Sequence, residues 1–389
     1  MTFKPAQRIS DLPPYLFAEL DRRVSAKKAE GADVISFGVG DPDFATPPHI
    51  VEALRAAALD PSTHHYPSYS GMPELRAAIA SWMSERFDLY SLDPDTEVLP
   101  LWGSKEGVVH LPWAIVDEGD VVLCADPGYP PYDVGTRLVG GRPVPLPLRA
   151  PEFLPDFDGV PEEIAARAKL LWLNYPGNPT GATCELRTFE EAVAFCKKHD
   201  ILLAHDAAYS EITYDGYVAP SVLEVDGAKD VAVELHSFSK TFNMTGWRIG
   251  WVAGSPDVIE ALGRLKTNLD SGVFNAVQRA AMAGLQEPRD FLQEELRVFA
   301  RRRDVAVAGL RDAGLNPPTP RGSFYLWVPV PDGESSTSFA TKLLDEAAIV
   351  VAPGNGYGEF GEGYVRFSLT LADDRVDEGI ERIRKLLAS

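Results

Sequence analysis

The stretch Leu170-Leu171-Trp172-Leu173-Asn174-Tyr175-Pro176-Gly177-Asn178-Pro179-Thr180-Gly181, together with residues 188–199 and the run Ile201-Leu202-Leu203-Ala204-His205-Asp206 that follow it, decides the fold. Two short apolar runs flank a segment whose apolar residues recur at helical spacing, and continuous apolar runs of this length read as strands buried on both faces. The unit is strand, helix, strand. Comparable runs at Val121-Val122-Leu123-Cys124, Val231-Ala232-Val233 and Ile249-Gly250-Trp251-Val252 extend the pattern from about residue 118 to 254. The expected fold class is therefore α/β, a large domain with a mostly parallel central sheet flanked by helices.

Further along, a helical stretch with alternating charge through 289–311 leads to the strand-like Ser323-Phe324-Tyr325-Leu326-Trp327-Val328. Gly363-Tyr364-Val365-Arg366-Phe367-Ser368-Leu369 reads as another strand, and residues 373–387 as an amphipathic helix. With the Pro-punctuated first forty residues these imply a smaller α+β domain built from both termini. The expected division is 1–45 for an N-terminal arm and part of the small domain, 46–285 for the large domain and 286–389 for the small C-terminal domain.

The 389 residues are 45% hydrophobic, enough for a sizeable core, and 57 acidic against 37 basic residues give a net charge of −20. Such a balance argues against nucleic acid as a partner. No run approaches a membrane span and residues 1–20 lack a signal-peptide core, so the expected location is cytoplasmic. Cys124, Cys184 and Cys196 lack Cys-x-x-Cys spacing and read as buried reduced thiols, with neither disulfide nor metal implied.

Polar loops close the apolar runs, and in a parallel sheet such loops carry function. One is Ser237-Phe238-Ser239-Lys240-Thr241-Phe242-Asn243-Met244-Thr245-Gly246-Trp247-Arg248, which sets a lysine between small hydroxyl residues and an arginine eight positions on. That grouping suits a phosphorylated aldehyde. The amine forms a Schiff base, while Ser237, Ser239 and Arg248 hold the phosphate. A strand-end loop with a solvated lysine is the plainer reading of the same residues. Asp206, three before Tyr209, can set a carboxylate beneath a heteroaromatic nitrogen and a phenol beside a ring oxygen, or can simply cap a helix. Asn178 sits where an amide reaches a phenolic oxygen, although turn chemistry explains its Pro and Gly neighbours equally well. Ser104 and Lys105 follow Gly103 at an expected helix start, where backbone N–H groups can face an anion. Tyr129, in Pro127-Gly128-Tyr129-Pro130, can lie flat on an aromatic ring or stand as an exposed turn tyrosine. Arg366 is alone among apolar and aromatic residues, so it needs an anionic partner: a substrate carboxylate or an internal one.

With these residues in these contexts, the chain resembles the class I/II aminotransferases, fold-type I enzymes that use pyridoxal 5′-phosphate, over nearly its whole length. The resemblance implies that Lys240 is the cofactor-bearing and proton-moving residue, that Asp206 pairs with the pyridine nitrogen and that Asn178 and Tyr209 contact the ring oxygen. It implies a stacking role for Tyr129 and a phosphate site from Ser104, Lys105, Ser237, Ser239 and Arg248. Arg366, with Gly40, Asn178 and Tyr15, would bind substrate. Tyr66, in Tyr66-Pro67-Ser68-Tyr69-Ser70-Gly71, matches the tyrosine that in this family reaches the neighbouring subunit's phosphate, so a homodimer with shared sites is implied.

Segments such as Gly38-Val39-Gly40-Asp41-Pro42-Asp43, Gly103-Ser104-Lys105-Glu106-Gly107 and Asp270-Ser271-Gly272-Val273-Phe274 are similar to those of bacterial LL-diaminopimelate aminotransferases. The reaction so implied moves an amino group between an amino acid and a 2-oxo acid such as 2-oxoglutarate. For a distal amine and carboxylate, Tyr15, Lys105, Glu106 and Ser271 are candidates. Aspartate, aromatic and N-succinyl-diaminopimelate donors, or a β-lyase reaction, are the alternatives. A transcription regulator with an aminotransferase-like sensor would need a DNA-reading module, which the first forty residues do not supply.

Overall fold

A computed structural model describes residues 3–12, 16–89, 92–286 and 290–388, with the side chains of residues 16–21 left aside. The central sheet has eight strands: β1 (Val98–Leu101), β2 (Val121–Asp126), β3 (Arg142–Arg149), β4 (Leu154–Pro155), β5 (Ala168–Leu173), β6 (Leu202–Asp206), β7 (Ala232–Ser237) and β8 (Gly250–Gly254). Their spatial order is β1-β8-β7-β6-β5-β2-β3-β4. Pairing is parallel from β7 through β6, β5 and β2 to β3, whereas β8 runs antiparallel to both β1 and β7. The central strands are apolar because both faces are covered. Leu171, Leu173 and Leu203 enter one hydrophobic cluster, while Leu170, Trp172, Leu202 and Ala204, alternating with them, enter another on the opposite face.

Helices α1 (Ser104–Ile115), α2 (Pro131–Leu138), α3 (Leu186–His199) and α4 (Pro256–Leu269) cover the sheet. The expected helix over 188–199 is thus present and starts two residues earlier. Helix α5 (Asp290–Asp312) leads to a three-stranded antiparallel sheet of β9 (Tyr325–Pro329), β10 (Ala352–Pro353) and β11 (Tyr364–Ser368), in the order β9-β11-β10. Near the N-terminus Ile35–Ser36 pairs in parallel with Ile349–Val350. A separate hydrophobic cluster, including Phe37, Phe299, Leu326, Phe339 and Phe367, lies beneath these elements.

The strand directions place the functional loops. Parallel strands deliver their C-terminal ends to one edge, so Gly103-Ser104 after β1, Tyr129 after β2, Asn174 after β5, Asp206 at the end of β6 and Ser237 at the end of β7 share that edge. Because β8 is reversed, its beginning lies there too, which brings in Arg248. Among the described residues no helix is long and apolar enough to cross a membrane.

Candidate active site

At this edge lies a cavity of about 390 Å³, whose walls include Gly40, Ser104, Lys105, Tyr129, Asn178, Asp206, Tyr209, Ser237, Ser239, Lys240, Arg248 and Arg366. All but four of the residues expected from sequence, the exceptions being Tyr15, Tyr66, Glu106 and Ser271, therefore meet in one place. Tyr66 stands outside the cavity and is 88% exposed, and Tyr15 lies outside the described residues.

The lysine sits on a single helical turn, Phe238–Thr241, whose start is capped by the Ser237 hydroxyl accepting from the Ser239 N–H at 3.1 Å. Its Nζ donates to the Gly40 carbonyl at 2.7 Å. Burial disfavours the cation and lowers the amine to about 8; Asp41 works against that shift, while Arg366 and Arg248 add to it. A substantial share of the amine is consequently neutral near pH 7.5, as a nucleophile or base requires.

Asp206 is buried at the end of β6, and burial raises its carboxyl above the usual range although the Tyr132 hydroxyl donates to Oδ2 at 2.9 Å. A cationic ring nitrogen is the kind of partner that would return it to the ionised form. Tyr132 comes from α2, where it stacks on Trp172 with centroids 4.9 Å apart. Behind Asp206, the Glu234 carboxylate accepts from His205 Nδ1 at 2.9 Å, from His236 Nε2 at 2.6 Å and from the Ser221 hydroxyl. Burial pushes Glu234 up, but these hydrogen bonds outweigh it and hold the carboxyl well below its ordinary value.

One end of the cavity is a cup for an anion. Ser237 is registered against Gly250, and a Cβ at Gly250 would come within 2.8 Å of the Ser104 nitrogen, so only glycine allows β8 to approach the start of α1 so closely. Arg248 turns back with φ +56° and donates to the carbonyls of Thr245 at 2.7 Å and Trp102 at 3.5 Å. Serine hydroxyls, a helix N-terminus and a guanidinium thus converge, a donor set suited to a phosphate.

At the other end Arg366 is 1% exposed. Its Nη1 donates to Asn178 Oδ1 at 2.7 Å, and its Nη2 to the Gly38 carbonyl at 2.6 Å. Asn178 is itself set by its backbone N–H, which donates to Asn174 Oδ1 at 2.7 Å, and Asn174 in turn donates to the Asp206 carbonyl. Tyr325 and Tyr357 flank the guanidinium, with ring centroids 4.2 and 5.0 Å from Cζ.

Sequence reasoning missed Asn174, Tyr325 and Tyr132. Asn174 had a signal as the first polar residue after an apolar strand, whereas Tyr325 read only as part of a strand and nothing in the sequence marked Tyr132. Glu106, a candidate for a distal amine, is engaged elsewhere: its carboxylate takes Lys266 Nζ at 3.0 and 3.2 Å and the Trp102 N–H at 2.5 Å. Ser271 is not among the cavity walls.

An amine poised near neutrality, a buried carboxylate and an anion cup in one cavity fit pyridoxal phosphate, whose aldehyde, ring nitrogen and phosphate they match. The comparisons agree. The family model for aminotransferase class I and II matches residues 32–383. An LL-diaminopimelate aminotransferase of Desulforudis audaxviator is 53% identical over 388 residues, covering 100% of this chain and 99% of that protein. One from Halothermothrix orenii is 50% identical and covers 97% of each. Among solved structures, substrate-bound BacF of Bacillus subtilis superposes with a TM-score of 0.94 at 36% identity, covering 99% of this chain and 98% of that one. An aspartate aminotransferase of Thermus thermophilus gives 0.93 at 29% identity, covering 99% and 100%. The chain belongs to the class I and II aminotransferases, fold-type I enzymes that use pyridoxal phosphate to move an amino group between an amino acid and a 2-oxo acid.

Proposed function

We propose that this aminotransferase acts on LL-diaminopimelate and passes the amino group to a 2-oxo acid, with 2-oxoglutarate as the acceptor, in lysine biosynthesis. The observation that carries the substrate is the name borne by relatives 50 and 53% identical over essentially their full lengths.

In this reading Arg366 takes the substrate α-carboxylate in its planar fork, and Asn178 and Gly38 keep that fork oriented. Lys240 would hold the cofactor aldehyde covalently at rest, and with its Nζ free and neutral it would take the substrate α-proton and deliver it to the cofactor's C4′ carbon. When bound, pyridoxal phosphate supplies an electron sink for the charge left at the α-carbon. Asp206, oriented by the Tyr132 hydroxyl, pairs with the ring nitrogen and keeps it protonated. Tyr209 and Asn178 face the ring oxygen, and Tyr129 stacks on the ring. Ser104, Lys105 through its backbone, Ser237, Ser239 and Arg248 take the phosphate. The Gly40 carbonyl, which accepts from Lys240, holds the amine beside the substrate position.

The working assembly is a homodimer in which Tyr66 reaches the phosphate of a second subunit. Its exposure, outside its own chain's cavity, supports a partner from another chain. Residues 1–45 are the N-terminal arm and part of the smaller domain, 286–389 the rest of it and 46–285 the larger domain, a division supported by the pairing of Ile35–Ser36 with Ile349–Val350. A cytoplasmic location agrees with three buried free thiols.

A panel of amino donors with 2-oxoglutarate tests the assignment. Fastest turnover with LL-diaminopimelate is expected, with glutamate formed in equal amount. Preference for aspartate, aromatic or N-succinyl-diaminopimelate donors would overturn the substrate, and release of ammonia and pyruvate would make the reaction an elimination.

A further inference from the structure

Tyr325 enters the cavity from β9 and touches three residues to which the proposed chemistry gives separate tasks. Its hydroxyl lies 3.0 Å from that of Tyr209, both in buried positions. Its ring lies 4.2 Å from the Arg366 Cζ. Its hydroxyl also occupies the space that a side chain at residue 40 would need, 1.9 Å from where a Cβ would stand, and the carbonyl of that same residue accepts from Lys240. Two phenols this close share one hydrogen bond, so one donates and the other's proton is left for a third group. Burial pushes the Tyr209 phenol well above its ordinary value, so Tyr209 keeps its proton across the working pH range.

We propose that Tyr325 is a positioning residue with two functions: its hydroxyl donates to Tyr209 and so aims the Tyr209 proton into the cavity, and its ring holds the Arg366 guanidinium flat for a carboxylate. The proposal rests on the reading that Tyr209 donates to the cofactor's phenolic oxygen. A phenol that accepts one hydrogen bond becomes a stronger donor in the next. Tyr325 therefore strengthens the Tyr209 bond to that oxygen and stabilises its anion. Weakening the bond makes the anion retain its neighbouring proton more tightly, which moves the pH midpoint of the visible absorbance upward.

The test compares cofactor-loaded Tyr325→Phe, Tyr325→Leu, Tyr209→Phe and the double Tyr325→Phe/Tyr209→Phe proteins, each first shown by its melting temperature to be folded. In Tyr325→Phe the absorbance midpoint should rise by about 0.3 pH unit. Tyr209→Phe should raise it further, and the double variant should match Tyr209→Phe alone, because the second hydroxyl then has nothing to act through. Tyr325→Phe keeps the ring over Arg366 and should leave the donor KM within about threefold, whereas Tyr325→Leu removes it and should raise KM about tenfold. A midpoint that moves in Tyr209→Phe but not in Tyr325→Phe, or shifts that add in the double variant, would overturn the proposal and leave the cofactor reading standing. A midpoint unmoved in both single variants would overturn that reading, and the proposal with it. Equal KM in Tyr325→Phe and Tyr325→Leu would remove the second function.

Discussion

Replacing Gly40 by alanine is expected to cripple turnover while leaving the chain folded. The added Cβ would stand 1.9 Å from the Tyr325 hydroxyl oxygen, 2.6 Å from Cζ and 2.8 Å from Cε1. Ordinary contact begins near 3.4 Å, so the hydroxyl and the backbone at residue 40 must separate by about 1.5 Å. Gly40 is not in the left-handed region, so alanine meets no backbone penalty and the effect is steric alone. If Tyr325 yields, its bond to Tyr209 breaks and the face of Arg366 is uncovered. If the backbone yields, the Gly38 carbonyl moves off Arg366 and the Gly40 carbonyl off Lys240. Either displacement exceeds the roughly 1 Å that costs about 100-fold in a positioned reaction, equivalent to about 2.7 kcal/mol. Overpacking should lower stability by a further 1–3 kcal/mol or so, well short of unfolding a chain of this size. Steady-state kcat/KM with saturating cofactor, read beside urea unfolding, separates the two effects. The double variant Gly40→Ala/Tyr325→Leu should be no worse than Tyr325→Leu alone, since the clash has been removed. A Gly40→Ala enzyme within threefold of the parent would refute the reasoning.

Further outcomes follow from two buried ionisable groups, Lys240 and Glu234. Capture of pyridoxal phosphate by the apoprotein should accelerate with pH and level off above about 8, where Lys240 becomes neutral. The unfolded lysine still binds its proton between about 8 and 10.5, so the apoprotein should gain stability as pH rises through that window. Lys240→Met should abolish both the capture and this share of the pH dependence, as measured by stopped-flow absorbance and by urea midpoints. Glu234→Gln leaves two imidazoles facing a neutral amide and should cost about 3 kcal/mol in urea unfolding. Because the Glu234 carboxyl is held below its unfolded value, its stabilisation is present above the usual carboxylate range and fades as pH falls beneath it. The variant should therefore lose less stability than the parent on acidification below pH 4.5.

Much of this arrangement was legible in the chain. Central strands buried on both faces must be apolar throughout, and strand ends at a functional edge must be polar, so Leu170 to Leu173 and the loop after them carry both signals. Lys240, Asp206 and Arg366 stood out because a charge beside apolar runs needs a partner or a task. What stayed hidden depends on side chains far apart in sequence. The reversal of β8 leaves no mark on an apolar run that looks like its parallel neighbours. Glu106 looked free for a ligand because its partner, Lys266, is 160 residues away and reveals itself only when α4 packs beside α1. Tyr132 carried no mark in the sequence and Tyr325 read only as part of a strand, since a buried hydroxyl shows its purpose only through what it touches.

The Arg366 end of the cavity is stitched from opposite ends of the chain. Arg366 bonds to Gly38, the Ser368 N–H donates to the Phe37 carbonyl, and the Thr370 hydroxyl donates to the Val39 carbonyl. These links span more than 300 residues, whereas neighbouring strands of the central sheet are joined by far shorter connections. Synthesis proceeds from the N-terminus, and distant contacts form only after their loops can close. On the ribosome the sheet and the lysine turn can assemble while Gly38 to Asp41 still wait for β11. The enzyme thus acquires its grip on the Arg366 side only in the last stage of its own making, and a chain cut short before Tyr364 would keep the lysine but never complete the pocket around it.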